Sequence, residues 1–175
     1  AYIVAKEAGI STKIIKDSLK SFGGVSRRLE FKGDLKINEK KIKLLDDYGH
    51  HPTEISATIE AIKSSYKSKK INMIFQPHRY TRSSILFDDF IECLGLLDKV
   101  IILDIYSAGE QNVDGISSYD FVNSLIKKGS TAFFAKNLEE ISRILEAEIK
   151  NNEILITQGA GNVIDISNSL LAKYK

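Results

Sequence analysis

Residues 99–105, Lys-Val-Ile-Ile-Leu-Asp-Ile, decide the fold class of this chain. The apolar run at 100–103 predicts a strand covered on both faces, because a half-exposed strand would alternate apolar and polar residues. Three further strands are predicted at 70–75, 131–135 and 153–157. Amphipathic helices are predicted around them at 53–66, 83–97, 117–128, 138–150 and 162–174. This alternation is typical of parallel strands joined by crossover helices.

The chain before residue 53 predicts a different arrangement. Two β-rich runs at 28–35 and 41–48 are separated by Asn38-Glu39, which indicates an antiparallel hairpin. Two short helices come before it, one ended by Gly9 and one capped by Ser11. We therefore expect an α/β fold: an open, mostly parallel Rossmann-like sheet with flanking helices and an antiparallel entry hairpin.

Composition excludes several classes of protein. Of 175 residues, 43% are hydrophobic and 27% are charged, which is typical of a globular domain with one core. No apolar run approaches the ~20 residues needed to cross a bilayer, and no signal peptide is recognisable. The net charge of +2, with both signs interspersed, argues against nucleic-acid binding. The single cysteine, Cys93, lies on an apolar helix face and is expected in the core.

Arginine, histidine and proline are concentrated in a few places. Only five of the 25 basic side chains are arginines, and four of these are Arg27, Arg28, Arg79 and Arg82. All three histidines and both prolines fall in the segments 46–54 and 75–82. Arginine grips carboxylates and phosphates with two parallel hydrogen bonds, which lysine cannot do. These segments are therefore candidates for anion binding.

Polar segments follow four of the predicted strands. They lie at 46–52, 76–82, 106–110 and 158–162. Ligands of open α/β sheets bind beyond the carboxyl ends of the strands, so we expect the four segments to meet at one rim. Glu110, at the end of the third segment, has no role that the sequence assigns.

Residues 46–53, at the end of the second hairpin strand and beyond it, have both functional and structural interpretations. Asp46 or Asp47 could bind ribose hydroxyls or hold a metal through water, or one of them could cap or charge the start of the next helix. His50 and His51 could bind an anion or transfer a proton, or one could pack and bond a carbonyl. Their spacing fits no zinc site. Thr53 is expected to cap the following helix.

Two further segments are similarly open. Arg79 and Arg82 are three residues apart, so at a helix start they would share a face beside free N–H groups that suit an anion. The alternative is a pair of surface ion pairs with Asp88 or Asp89. The Gly-Ala-Gly-Asn segment at 159–162 is either a tight strand-to-helix turn or a weak phosphate-binding signal.

Five segments, taken in order, resemble the Mur ligase family. They are Phe-Gly-Gly-Val-Ser-Arg-Arg at 22–28, Asp-Asp-Tyr-Gly-His-His-Pro-Thr-Glu at 46–54, Phe-Gln-Pro-His-Arg-Tyr-Thr-Arg at 75–82, Tyr-Ser-Ala-Gly-Glu at 106–110 and Gln-Gly-Ala-Gly-Asn at 158–162. The resemblance runs along the whole chain. It implies that residues 1–26 are the C-terminal helices of a central ATPase domain plus a linker, and that 27–175 are the family's C-terminal domain.

The resemblance implies a cytoplasmic ligase of peptidoglycan synthesis that uses ATP and magnesium and so affects cell-wall biogenesis, cell shape and division. The lactyl carboxylate of UDP-N-acetylmuramate would become an acyl phosphate, which the amine of L-alanine attacks. Arg28 would contact the ATP phosphates and Asp47 the ATP ribose. His50, Arg79 and Arg82 would face the amino acid and the acyl group. No catalytic residue and no metal ligand is assigned in this chain.

Some elements of the family are not recognisable in the sequence. There is no Gly-x-x-Gly-Lys-Thr/Ser and no UDP-sugar domain, so ATP and magnesium are expected to bind mainly to the central domain. The chain would need the N-terminal and central domains as partners and would be inactive alone. Two alternatives remain: a related ligase that attaches a preformed tripeptide to UDP-N-acetylmuramate, and a non-catalytic module that binds a nucleotide or another anion.

Overall fold

The computed structural model describes all 175 residues, which form one six-stranded sheet flanked by helices. The strands are β1 Glu30–Ile37, β2 Lys40–Asp47, β3 Ile71–Phe75, β4 Lys99–Ile102, β5 Ala132–Phe134 and β6 Ile154–Gln158. The helices are α1 Tyr2–Glu7, α2 Thr12–Ser21, α3 Pro52–Ser65, α4 Tyr80–Ile85, α5 Phe87–Leu94, α6 Ser118–Lys127, α7 Leu138–Glu148 and α8 Val163–Tyr174.

The sheet has the order β1-β2-β6-β3-β4-β5. Strands β1 and β2 are antiparallel, and every other neighbouring pair is parallel. Asn38 and Glu39 join β1 to β2 with φ values of 46° and 65°, the left-handed conformations that a two-residue hairpin turn of this kind requires. The predicted fold class is confirmed, including the antiparallel entry hairpin.

Helices bury both faces of the sheet, as the apolar run at 100–103 predicts. Val100 and Ile102 point into one core, which α3, α5 and α6 cover. Ile101 and Leu103 point into the other, which α7 and α8 cover. Each large apolar side chain removed from water in this way contributes roughly 1.5–3 kcal/mol. Cys93 is buried in the first core, so its predicted place is confirmed.

Two predicted helix boundaries are wrong. The predicted helix at 83–97 is two helices, because the backbone leaves helical geometry at Leu86 (φ −104°, ψ 22°), and the first of them already begins at Tyr80. Thr53 does not cap α3. Its N–H instead donates to Nδ1 of His51 at 3.2 Å, and His51 is the N-cap because Pro52, which has no N–H to satisfy, takes the first helical position.

Helices α1 and α2 pack against each other and leave much of their apolar surface exposed. Ile15 is buried, but Ile3, Val4 and Phe22 keep 74%, 71% and 61% of their surface exposed. An exposed apolar surface of this kind is typical of an interaction surface. None of the helices is long and apolar enough to span a membrane.

Candidate functional site

Polar loops meet at the carboxyl edge of the parallel strands, as the sequence predicts. The loops after β3 and β4 are joined by a short parallel bridge between His78 and Tyr106. In it, the Arg79 N–H donates to the Tyr106 carbonyl and the Tyr106 N–H to the Pro77 carbonyl, both at 2.8 Å. Strands β2 and β6 end beside them, because β6 lies between β2 and β3.

Asp47 is a buried carboxylate that fixes the start of the hairpin. Its Oδ2 accepts the Leu29 N–H at 2.7 Å, and its Oδ1 accepts the Gly49 N–H at 2.7 Å and the Gln158 amide at 3.0 Å. Only 6% of the residue is exposed. A carboxylate offers about four acceptor positions, so three are occupied by the protein and one, on Oδ2, is left. The ribose role of Asp47 stays a prediction.

Asp46 is fully buried and binds an arginine of the segment before β1. Its Oδ2 accepts from Arg27 Nε at 3.0 Å, and its Oδ1 accepts from the Thr157 hydroxyl at 2.5 Å. Arg27 also donates to the Gly159 carbonyl at 2.6 Å. The interpretation that Asp46 or Asp47 caps the next helix is wrong, since the N-cap of α3 is His51. The sequence places Arg27 among the clustered arginines and in the family segment at 22–28 but assigns it no role.

Arg28 remains at the surface with its charge accessible. It is 55% exposed, lies 3.8 Å from Glu54 Oε1 and sits 5.7 Å from the centre of the Tyr48 ring. The weak ion pair and the exposure leave the guanidinium able to take an anion. This accessibility is compatible with the predicted contact to ATP phosphates, which stays a prediction.

His50 is half-buried at the same edge. Its Nδ1 lies 3.2 Å from the Tyr48 carbonyl, the contact that the structural interpretation expects. Its N–H and that of His51 donate to Glu54 Oε2 at 2.9 and 3.1 Å. Burial, the largest single influence, would raise the pKa of Glu54, but these two N–H donors together with the nearby His50 and Arg28 lower that pKa below its ordinary value. The surroundings of Glu54 therefore favour its carboxylate form.

His78 connects the two halves of the site. Its ring stacks on Tyr106 with centroids 5.4 Å apart and lies 5.5 Å from the ring of His50. Burial first, and then the neighbouring His50, Arg82 and Arg79, lower the pKa of His78 below its ordinary value. These surroundings favour the neutral ring. The sequence names His78 as part of its segment but assigns it no role.

Arg79 and Arg82 follow His78 at the start of α4. Arg79 is 51% exposed and pairs with Glu110 Oε1 at 3.6 Å. Arg82 Nη1 lies 3.5 Å from His78 Nδ1. Neither forms an ion pair with Asp88 or Asp89, so the alternative interpretation as pairs with those residues is wrong.

The start of α4 is not free for an anion in this conformation. Glu110 Oε2 accepts the Thr81 N–H at 3.1 Å, and Oε1 accepts the Thr81 hydroxyl at 2.9 Å. The Thr81 N–H, more than any other group, lowers the pKa of Glu110. The prediction that an anion binds at this helix start therefore needs correction. The anion there is the protein's own carboxylate, and an incoming ligand would meet the arginine side chains.

The glycine segment at 159–162 is a tight turn between β6 and α8. A side chain at Gly159, where φ is 143°, would meet the Gln76 carbonyl at 2.8 Å. Gln76 also donates to Asn162 Oδ1 at 2.7 Å and accepts the Val163 N–H at 3.1 Å. The close approach of these backbones requires glycine. The structural interpretation of this segment is confirmed.

Two buried glutamines at strand ends were missed by the sequence analysis. Gln158 donates to the Gly49 carbonyl at 2.9 Å as well as to Asp47, and Gln76 closes the glycine turn. Gln76 directly follows β3, Gln158 is the last residue of β6, and every residue of both strands is buried. An amide at the end of a mainly apolar strand is the signal that could have found them, because a buried amide needs partners.

The chain contains no group of three or more His, Cys, Asp or Glu side chains placed to hold a metal ion. At this edge, the carboxylates of Asp46 and Asp47 accept hydrogen bonds from the protein. What the site offers a ligand is positive charge and ring nitrogens: Arg28, Arg79, Arg82, His50 and His78. The arrangement is therefore suited to binding and orienting an anionic substrate.

Comparison with known proteins shows the family of this chain. The Mur ligase, glutamate ligase domain family matches residues 27–161. The UDP-N-acetylmuramate–L-alanine ligases of Ruthia magnifica and Brachyspira hyodysenteriae are each 41% identical to the chain, over 96% and 95% of its length. The chain spans only 36% and 35% of those two relatives.

A solved structure has the same fold. The UDP-N-acetylmuramate-alanine ligase of Thermotoga maritima superimposes with a TM-score of 0.77 at 26% identity, covering 98% of this chain and 35% of that one. Residues 27–161, which the family model matches, contain the first three loops of the carboxyl edge and the fourth as far as Gly161. The chain therefore belongs to the Mur ligase family and contains its glutamate ligase domain.

Proposed function

We propose that this chain is the C-terminal third of an ATP-dependent ligase that joins L-alanine to UDP-N-acetylmuramate in peptidoglycan precursor synthesis, in the cytoplasm where those precursors are made. The observation that carries the proposal is the cluster of His50, His78, Arg79 and Arg82 at one edge of the sheet. The 41% identity to ligases of that name over almost the whole chain supports it.

The cluster suits the proposed chemistry. Attack of the L-alanine amine on an acyl phosphate places negative charge on the carbonyl oxygen and on the departing phosphate, and fixed cations stabilise such charge. Neither Arg79 nor Arg82 forms a strong ion pair. Arg79 lies 3.6 Å from Glu110, and Arg82 contacts no carboxylate. We propose that they bind the carboxylate of L-alanine and the acyl end of the sugar, with His50 beside them.

The opposite side of the edge suits a nucleotide. Asp47 keeps one acceptor position for a ribose hydroxyl, and Arg28 presents an exposed guanidinium for phosphates. ATP supplies the phosphoryl group that activates the carboxylate. Since the chain offers no cluster of metal ligands, we propose that magnesium is held by the central domain and that this chain only completes the nucleotide site.

We further propose that residues 1–26 pack on the central domain and that residues 27–175 form the C-terminal domain. The exposed apolar side chains of α1 and α2 support this division, because such a surface would be covered by the rest of a larger protein. The relatives have roughly two-thirds of their length outside the region that the chain matches. The isolated chain would then hold only part of the active site.

The test is ligation by the full-length protein. With ATP, magnesium and UDP-N-acetylmuramate, L-alanine should give the amide product, detected by mass spectrometry, with one phosphate released per amide. A preformed tripeptide in place of L-alanine should react poorly, and efficient use of the tripeptide would identify the alternative ligase. Release of phosphate without amide formation with either amine would contradict the proposal.

The arginines are tested by substitution. Arg82→Lys keeps the charge but not the planar fork, so KM for L-alanine should rise by about tenfold, the factor that corresponds to ~1.4 kcal/mol. Arg143→Lys is the matched control, because Arg143 is 69% exposed on α7, far from the edge in sequence and paired only with Glu139.

Calorimetry of the 175-residue chain with ATP tests the alternative that the chain is a non-catalytic nucleotide-binding module. That alternative predicts strong ATP binding by the chain alone.

A further inference from the structure

Glu110 joins two loops of the candidate site. It lies in the loop between β4 and α6, and both of its carboxylate oxygens reach Thr81 in the first turn of α4. Oε1 accepts the Thr81 hydroxyl at 2.9 Å, and Oε2 accepts the Thr81 N–H at 3.1 Å. Oε1 also lies 3.6 Å from Arg79 Nη1. The Glu110 side chain thus contacts both Arg79 and the first turn of α4, the helix that follows Arg79.

The backbone around Arg79 depends on the same loop. Arg79 has φ 72° and ψ 134°, a region that residues other than glycine rarely adopt. Its N–H donates to the Tyr106 carbonyl at 2.8 Å, and the Glu110 N–H closes the loop onto the Ser107 carbonyl at 3.0 Å. The loop therefore holds Arg79 at two points, at its backbone through Tyr106 and at its side chain through Glu110.

We propose that Glu110 is a positioning residue that fixes Arg79 and Thr81 for the amino-acid substrate. The inference rests on the proposed function and deepens it. Arg79 is 51% exposed, so without a partner its long side chain would sample many rotamers and lose that freedom on binding. Glu110 restricts the side chain before the substrate arrives and so improves substrate affinity without contacting the reacting atoms.

A competing role for Glu110 predicts an effect of opposite sign. If the carboxylate only occupied the place of the substrate's anion, its removal would free Arg79 and lower KM for L-alanine. If it positions Arg79, its removal raises KM. The two oxygens bonded to Thr81 favour positioning, because a carboxylate that simply competed for Arg79 would need no contacts to the helix.

The test compares Glu110→Gln with the unsubstituted full-length protein. Glutamine keeps the size but offers one acceptor oxygen and no charge, so KM for L-alanine should rise about tenfold, as expected for the loss of a charge-assisted hydrogen bond. Because Arg79 acts in binding, kcat should stay within about threefold. Glu60→Gln, an exposed substitution on α3, is the matched control and should change neither constant.

Thr81→Val supplies a second, independent variant, since it keeps Glu110 and removes only the hydroxyl. It should raise KM for L-alanine in the same direction, and the double variant should lose less than the two single losses combined. Ligation by the unsubstituted protein distinguishes failure of the proposed function from failure of the role of Glu110. No ligation refutes the proposed function, whereas ligation with KM unchanged or lowered in Glu110→Gln and in Thr81→Val overturns the role of Glu110.

Discussion

Removal of the Asp46 carboxylate should strongly destabilise the fold. Asp46 is fully buried, its Oδ2 binds Arg27 at 3.0 Å, and its Oδ1 binds Thr157 at 2.5 Å. Asp46→Ala leaves the Arg27 guanidinium, only 17% exposed, without its carboxylate, and leaves the Thr157 hydroxyl without its shortest partner. Breaking a buried ion pair in this way costs about 3–5 kcal/mol.

The lower end of that range applies here, because Arg27 retains its bond to the Gly159 carbonyl and some contact with solvent. Asp46→Asn keeps the shape and an acceptor for Arg27, while its amide can donate to the Thr157 hydroxyl, so it should cost only about 1–2 kcal/mol. The surface variant Asp34→Ala, which removes an exposed pair with Lys43, should cost less than about 1 kcal/mol.

Urea unfolding of the 175-residue chain, followed by circular dichroism, measures all three variants. With a slope of about 2 kcal/mol per molar urea, a loss of ~3 kcal/mol lowers the midpoint by roughly 1.5 M. The slope itself should not change, since the same surface is exposed on unfolding. An Asp46→Ala midpoint within about 0.3 M of the unsubstituted chain, or an Asp46→Asn loss as large as that of alanine, would refute the reasoning.

Three further predictions use the same chain. Gly49→Ala should cost about 1–3 kcal/mol in urea unfolding, because the new Cβ would lie 2.6 Å from Gln158 Nε2, whereas Gly23→Ala, with nothing within 4 Å, should unfold almost as the unsubstituted chain does. Burial, more than the neighbouring charges, lowers the pKa of His78 in the folded chain, so the unfolded chain takes up a proton at His78 first as the pH falls. The stability that neutral His78 contributes is therefore present above about pH 6.5, the ordinary pKa of histidine, and is lost as the pH falls below that value. His78→Asn should flatten that part of a stability–pH curve, and an unchanged slope would exclude His78 as its source. Burial raises the pKa of the Cys93 thiol to about 12, so a thiol reagent at pH 8 should label the denatured chain but not the native one, and fast native labelling would contradict the buried position.

The secondary structure was predictable because its signals are local. Continuous apolar runs predict buried strands, and the run at 100–103 does supply both cores. The hairpin turn at Asn38-Glu39 was likewise readable from the two β-rich runs around it. The break at Leu86 was not, because the apolar spacing continues through it and no glycine or proline marks the end of α4.

The sequence by itself determined the alternation of strands and helices, the polar character of the strand ends, and the residue types that a binding site would use. Only the tertiary structure decided which of those residues meet. Strand β6 is the last in the chain yet lies between β2 and β3, and this brings Thr157 and Gln158 to Asp46 and Asp47, which are 111 positions away. Periodicity records which face of an element is apolar, but it carries no information about which distant strand becomes its neighbour. That choice depends on the packing of the whole sheet, and so the partners of Asp47, Arg27 and Glu110 could be found only in three dimensions.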